Sequence, residues 1–299
     1  MKLLVSKIKR NVDMKTPRMF VKSIARKVPR FASLIDYAIF SISREQSRTT
    51  YSGQVKNICD QIAENGFFVI EDFMPKSYCD DVIRDFSDAK ERFPESCHLG
   101  SDQRIFGIEE YSEKAYEFYA HPLLKSVSDS YCGQLTANAF TMFNEVLTKT
   151  GSLGSGEGWH KDSSFRQIKA FLYLSDVGSN DAPFQLIAKS HKIGNYLRHM
   201  RWGEMQFREL RISNSQIDNI LRKDTHGLVT FKGSAGTLIL ADTAAIHRGK
   251  PPNGGKRYAL TNYYVKPEQI HDEFLNAYRP VNAYRTLNLV HSKTGLKDA

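Results

Sequence analysis

Two stretches decide the fold: Trp159-His160-Lys161-Asp162, and the run from Ile246-His247-Arg248-Gly249 to Lys256-Arg257-Tyr258. Side chains two apart in an extended segment point the same way, so His160 and Asp162 can face one point. His247 lies far along the chain, and a distant strand must fold back to bring it to them. A jelly roll or β-barrel does that. Two imidazoles and one carboxylate can occupy one face of a divalent iron and leave the other face open, the 2-His-1-carboxylate pattern of non-haem Fe(II) oxygenases. Arg257 follows His247 by ten residues on the next strand, where its planar fork can form a two-pronged pair with a carboxylate.

Flanking segments set these residues in a family context. Asn65-Gly66-Phe67-Phe68-Val69-Ile70-Glu71-Asp72-Phe73 comes first. Ala170-Phe171-Leu172-Tyr173-Leu174-Ser175-Asp176-Val177 and Pro183-Phe184-Gln185-Leu186-Ile187 follow, the latter with Ser190-His191-Lys192. Over roughly residues 54–266 the chain resembles the phytanoyl-CoA dioxygenase family of Fe(II)/2-oxoglutarate oxygenases. The resemblance implies a mainly β fold with flanking helices, a double-stranded β-helix (jelly-roll or cupin-like) behind a helical N-terminal part. It implies Fe(2+) held by His160, Asp162 and His247, with 2-oxoglutarate and O₂ as cosubstrates and ascorbate as a candidate reductant. Arg257 is then expected on the far carboxylate of 2-oxoglutarate, with Asn144, Ser163 and Tyr173 as further cosubstrate candidates; each of these three equally suits an ordinary barrel position. Thr261 shares Arg257's strand. The implied reaction couples decarboxylation of 2-oxoglutarate to succinate with hydroxylation of a C–H bond.

Two positions qualify the resemblance. Relatives often carry a hydroxyl residue two past the distal histidine, and here that position is Gly249. Related halogenases have a small residue where this chain has Asp162, so the carboxylate favours hydroxylation or another oxidation. His191 is expected to be structural, and the remaining histidines, His98, His121, His199, His226, His271 and His291, sit in no matching motif.

The 299 residues, 41% of them hydrophobic, suffice for a sizeable core. The triad spans too much sequence for a split near residue 200. The expected division is a basic extension over 1–50 and a dioxygenase domain over 51–299, with helical support over 51–134, a jelly-roll core over 135–266, and a helix and tail over 267–299. The cysteines Cys59, Cys79, Cys97 and Cys132 form no C-x-x-C pair, so reduced thiols in a cytoplasmic setting are expected.

Net charge is +9, but ten of the 42 Lys/Arg fall within residues 1–30 against one acid, Asp13, leaving 32 of each sign elsewhere. A nucleic-acid-coating protein is not indicated. Residues 1–50 are not expected to be a secretory signal, because Lys7, Lys9 and Arg10 interrupt the apolar region and no small-residue cleavage pattern follows. From Arg18 to Val28 the residues Phe20, Val21, Ile24, Ala25 and Val28 fall on one helical arc and Lys22, Arg26 and Lys27 on the other. Such a helix suits either an anionic lipid surface or packing on its own domain.

The core spacing predicts helices over 53–65, from Ser77, and near 113–131, the last with Tyr116, Phe118, Leu123 and Leu124 inward. A short strand is expected over 67–70, and a polar loop over 94–114. Further strands are expected around 140–146, 169–177, 184–190, 228–231, 237–241 and 257–265. Lys149 to Gly158 is glycine-rich without the order of a phosphate loop; its glycines suit a close turn over the mouth of a site. Residues 193–226 form a helix-leaning insertion with Arg198, Arg201, Trp202, Arg208, Arg211, Arg222 and Lys223. It suits either substrate selection or a solvated charged face.

The expected partner is a small molecule, glycan- or lipid-linked, or phosphorylated or CoA-linked. Nucleic acid is not expected, and the basic extension is a candidate peripheral membrane contact. A competing expectation is a non-catalytic jelly roll that binds a sugar or lipid, since fold does not fix function.

Overall fold

The computed structural model describes residues 53–271, except 95–97, 100–101, 150 and 207–208, together with residue 275. The readings made for 1–50, for the tail and for Arg208 lie outside the described residues.

The first element among the described residues is α1 (Gly53–Asn65), which buries Ile58 and Ile62. Gly66, at φ 94°, ends it: its N–H donates to Ile62 O, and a Cβ there would stand 2.9 Å from the His191 ring. Strand β1 (Phe67–Ile70) and helix α2 (Lys76–Arg92) follow, the helix turning Cys79, Val82 and Phe86 inward as their spacing requires.

The expected polar loop over 94–114 contains two short strands, β2 (His98–Leu99) and β3 (Gln103–Phe106), and a 3-10 turn at Ile108–Glu110. The single helix expected near 113–131 is two, α3 (Glu113–Tyr119) and α4 (Pro122–Cys132). Pro122 has no N–H to continue the first helix and a φ suited to starting the second. Ser112 caps α3 by accepting from Ala115 N. Tyr116, expected inward, is 43% exposed, whereas Phe118 and Leu124 are buried.

The remaining elements are β4 (Ala137–Leu147), β5 (Ile168–Tyr173), β6 (Phe184–Ile187), α5 (Ile193–Trp202), α6 (Asn214–Leu221), β7 (Leu228–Thr230), β8 (Leu238–Asp242), β9 (His247–Gly249) and β10 (Lys256–Val265), with a final 3-10 turn at Pro267–Gln269. Among the described residues the strands form two antiparallel sheets, a larger one in the order β1-β8-β5-β10-β4-β3-β2 and a smaller one in the order β7-β6-β9. This is the jelly-roll arrangement. Among the described residues no helix is long and apolar enough to cross a membrane.

Alternation along the strands sorts residues into layers. Ile168, Ala170 and Leu172 of β5, Leu238 and Leu240 of β8, and Leu260 of β10 pack against α1, α2, α3 and α4. Phe171 and Tyr173, Ile239 and Ala241, and Ala259 face the other way, toward Phe184 and Leu186 of the small sheet. On the far side of the small sheet, Ile187 and Ile246 meet Tyr196, Ile217 and Ile220 of the insertion. The insertion is therefore a fourth packed layer, with its charges on the outer side: Arg198, Arg201 and Arg211 are exposed.

Phe86 stacks on Phe143 with ring centroids 3.8 Å apart, joining helical layer to large sheet, and is 2% exposed. Phe86→Ala is expected to cost about 3–5 kcal/mol of unfolding free energy, read from denaturant melts. A loss below about 1 kcal/mol would show that this layer does not hold the sheet. Cys59, Cys79 and Cys132 are free thiols.

Candidate metal centre

Four consecutive residues alternate across the small sheet. Trp159 and Lys161 point outward, the first under Arg248 (4.3 Å to the ring centre) and the second with its ammonium 3.8 Å over the Tyr196 ring. His160 and Asp162 point inward. The segment is not a full strand; His160 makes isolated bridges to Arg211 and to His247, its N–H donating to His247 O and its carbonyl accepting from His247 N, both at 2.9 Å. That reciprocal pair sets the distal histidine beside the first.

The three inward groups converge, each offering a ligand atom within 4.8 Å of the others. His160 Nε2 lies 3.6 Å from Asp162 Oδ1, and His247 Nε2 lies 3.6 Å from Asp162 Oδ2. Ligands about 2.1 Å from one ion at right angles stand about 3 Å apart, so the spacing fits a shared metal. The opposite nitrogen of each ring faces a backbone carbonyl: His160 Nδ1 is 2.9 Å from Gly158 O, and His247 Nδ1 is 2.8 Å from Ala245 O. An Nδ1–H donated to each carbonyl leaves Nε2 with its lone pair aimed inward, the tautomer a metal needs. Burial, helped by the neighbouring His247, pushes the His160 imidazole down to about 3, and burial lowers His247 as well. Both rings are neutral at ordinary pH.

Burial alone would raise the Asp162 carboxyl. The Lys169 ammonium, 2.8 Å from Oδ2, outweighs it and holds the group well below the usual carboxylate range. Lys169, from β5, is buried and also lies 3.9 Å over the Tyr263 ring. It was expected only as the start of a strand. The signal that could have found it is a lysine in register with Phe171 and Tyr173 on an otherwise apolar strand, where a buried cation needs a partner.

Beyond this set lies Arg257, buried on β10. Its Nη1 donates to Ala182 O at 2.5 Å, and its Nε finds no acceptor among the described residues. Burial lowers the guanidinium from its ordinary value, while its charged neighbours Asp102 and Arg104 act in opposite directions. A desolvated arginine left partly unpaired is costly, and an anion's carboxylate would satisfy it. The pocket thus fits the far end of 2-oxoglutarate, as the inward Nε2 lone pairs fit iron.

The other sequence candidates fall as follows. Asn144 and Tyr173 share one row of the large sheet, running Arg104, Asn144, Ala259, Tyr173 across β3, β4, β10 and β5. Asn144 Nδ2 donates to Asp102 Oδ2 at 3.1 Å. The Tyr173 hydroxyl donates to Phe231 O and accepts from Phe184 N, and Arg257 lies 5.9 Å from its ring centre. Ser163 accepts from Phe165 N in a local turn. Thr261 occupies the next inward row, with Met142 and Phe171. His191 Nε2 stands 3.1 Å from Ala63 O, and His199 Nε2 stands 2.7 Å from Asp224 Oδ2 within the insertion layer. Asp102 and Arg104 fall in the segment expected as a polar loop and Ser155 in the glycine-rich loop, and no sequence motif marks any of the three. Arg104 Nε donates to Asp102 Oδ1 at 2.6 Å, and Ser155 Oγ donates to Asp102 Oδ2 at 2.8 Å.

Two sheets closing on such a pocket make the working frame of iron- and 2-oxoglutarate-dependent oxygenases, and the chain is one of them. It belongs to the phytanoyl-CoA dioxygenase (PhyH) family, whose model matches residues 62–258. Solved structures agree on the fold. EctD from S. alaskensis, in its apoform, superposes with a TM-score of 0.57 at 14% identity, covering 74% of this chain and 81% of that one. HygX from Streptomyces hygroscopicus, with nickel and 2-oxoglutarate bound, gives 0.53 at 15% identity, covering 71% and 87%. The epimerase SnoN, in complex with Fe3+, alpha ketoglutarate and nogalamycin RO, gives 0.53 at 12% identity, covering 71% and 83%. No curated protein gives a significant sequence match.

Proposed function

We propose that His160, Asp162 and His247 hold Fe(II), that Arg257 holds the far carboxylate of 2-oxoglutarate, and that the enzyme hydroxylates a C–H bond of a small-molecule, glycan- or lipid-linked substrate. The observation that carries the reading is the convergence of three inward ligand atoms within 4.8 Å, both rings oriented by backbone carbonyls. Bound there, iron supplies O₂ activation coupled to oxidative decarboxylation of 2-oxoglutarate. The protein's own work is positioning. Lys169 holds Oδ2 of Asp162, the glycine-rich loop covers His160, and Phe184 of the small sheet packs with Phe171 and Ile239 of the large one as an apolar wall. Asp162 occupies the position that a halogenase leaves open, which favours oxygen transfer.

The test is succinate formation by the iron-loaded full chain over a metabolite panel, with mass analysis of the product. One added oxygen atom in a substrate whose presence stimulates succinate supports hydroxylation. An isomer of unchanged mass would replace it with epimerisation, the chemistry named for SnoN. A protein that binds sugar or lipid with no succinate formed on any of them would favour the non-catalytic reading.

The basic extension is proposed as a peripheral contact with anionic lipid, supported by ten Lys/Arg in 1–30 and the amphipathic spacing of 18–28. The catalytic part is proposed to begin near residue 51, since the family match starts at residue 62 and α1 at Gly53. Deleting 1–50 is expected to abolish salt-sensitive sedimentation with phosphatidylserine vesicles. Iron content and melting temperature should stay near those of the full chain. An insoluble product, or one that cannot hold iron, would make the extension part of the core.

A further inference from the structure

Gly249, two residues past the distal histidine, has no side chain, yet the space beside it is filled. A Cβ built on Gly249 would stand 2.7 Å from Ser155 Cβ and 3.1 Å from Ser155 O. Residues 249 and 155 therefore compete for one volume, and Ser155 has it. The backbone pins this choice: Gly249 N donates to Ser155 O at 3.1 Å. Gly154, at φ 94°, passes so close to β9 that a Cβ on it would lie 2.1 Å from Gly249 O. On the other side, a Cβ on Gly156 would lie 2.5 Å from the His160 ring. With a tight glycine on either side, Ser155 cannot slide along the loop.

Its hydroxyl enters the polar set around Arg257. Ser155 Oγ stands 2.8 Å from Asp102 Oδ2, 3.5 Å from Asn144 Nδ2 and 3.5 Å from Arg104 Nη2. Arg257 pairs with Val146 on β4, two residues from Asn144 on the same face, so the cluster and the guanidinium occupy neighbouring positions of one sheet face. We propose that Ser155 donates a hydroxyl hydrogen bond to the far carboxylate of 2-oxoglutarate, standing in from the glycine-rich loop for the side chain that Gly249 lacks. The role rests on Arg257 holding that carboxylate. The proton is available without breaking the cluster. When the hydroxyl turns from Asp102 to the incoming anion, Asp102 keeps Arg104 Nε at 2.6 Å and Asn144 Nδ2 at 3.1 Å. Because Ser155 exchanges one carboxylate acceptor for another, its net effect is smaller than Arg257's.

The experiment measures binding rather than turnover. The iron-loaded chain is titrated under argon with 2-oxoglutarate and, separately, with 2-oxobutanoate, which chelates metal the same way but lacks the far carboxylate. Ser155→Ala is expected to weaken 2-oxoglutarate binding roughly 3- to 30-fold and to leave 2-oxobutanoate unchanged. Gly249→Ser alone should also weaken it, by crowding Ser155. Ser155→Gly combined with Gly249→Ser should restore 2-oxoglutarate binding to within about threefold of the parent, where Ser155→Gly alone stays weak. Equal weakening for both ligands would make Ser155 a loop residue only and overturn the proposal. So would a double variant no tighter than Ser155→Gly. Arg257→Ala separates the two levels. If it loses 2-oxoglutarate while Ser155→Ala does not, only the hydroxyl role fails. If Arg257→Ala binds as the parent does, the carboxylate site itself is wrong.

Discussion

His247→Ala is expected to lose iron and turnover together. The ring offers one of three candidate ligand atoms, and its Nδ1 contact with Ala245 O fixes the aim of the other nitrogen. Disturbing even the hydrogen-bond partner of a metal ligand typically costs roughly 10- to 100-fold in affinity, so removing the ligand should cost more than roughly 100-fold. The alanine also exposes Asp162 Oδ2 on the side where the ring stood at 3.6 Å, leaving the Lys169 pair as that oxygen's charged contact. The check is metal content after anaerobic reconstitution and desalting, beside succinate formation. Retention of one iron at the parent's affinity would remove His247 from the centre.

Arg257→Ala should raise the 2-oxoglutarate constant by roughly one to three orders of magnitude, because charge-assisted hydrogen bonds are each typically worth about 1.5–3 kcal/mol. Arg257 Nε, which finds no acceptor among the described residues, is the reason to expect the upper part of that range, since a carboxylate would satisfy it. Arg257→Lys should recover only part, since an ammonium cannot present a planar fork. Iron content should be almost unchanged in both variants. An alanine variant that binds 2-oxoglutarate as tightly as the parent would dismiss Arg257 from the site.

The site was legible where its residues obey short-range rules. His160 and Asp162 are two apart and face inward because Trp159 and Lys161 face outward, a periodicity visible in four letters. The helical support was equally plain, since Ile58 and Ile62, or Val82 and Phe86, repeat at helical spacing and Gly66 stops the first helix. Strand β3 escaped because four residues with two polar and two apolar members carry no period, and pairing with β4 alone makes them a strand. The break at Pro122 was written in the sequence and misjudged, because apolar spacing on both sides resembled one helix. Ser155 and Lys169 illustrate a different limit. Ser155 lies against Gly249, far along the chain, and Lys169 meets the nearby Asp162 carboxylate only because the loop between them turns back; neither pairing follows from a period in the sequence.

The outward pair in that four-residue segment has a bearing on protein engineering. Trp159 and Arg248 are stacked, and Lys161 lies on Tyr196 of α5, so the helical layer rests directly on the backs of the residues that carry His160, Asp162 and His247. Burial pushes the Lys161 ammonium down to about 8, a sign of how tightly that seam is closed. Residues 193–226 are consequently not a cassette that can be exchanged to borrow another enzyme's substrate range. A graft that omits an aromatic at 196, or shifts α5 by one turn, is expected to unseat the floor under the proposed metal ligands. Transplants should therefore carry the segment and its underside together, moving Trp159, Lys161 and Arg248 with the helices they support.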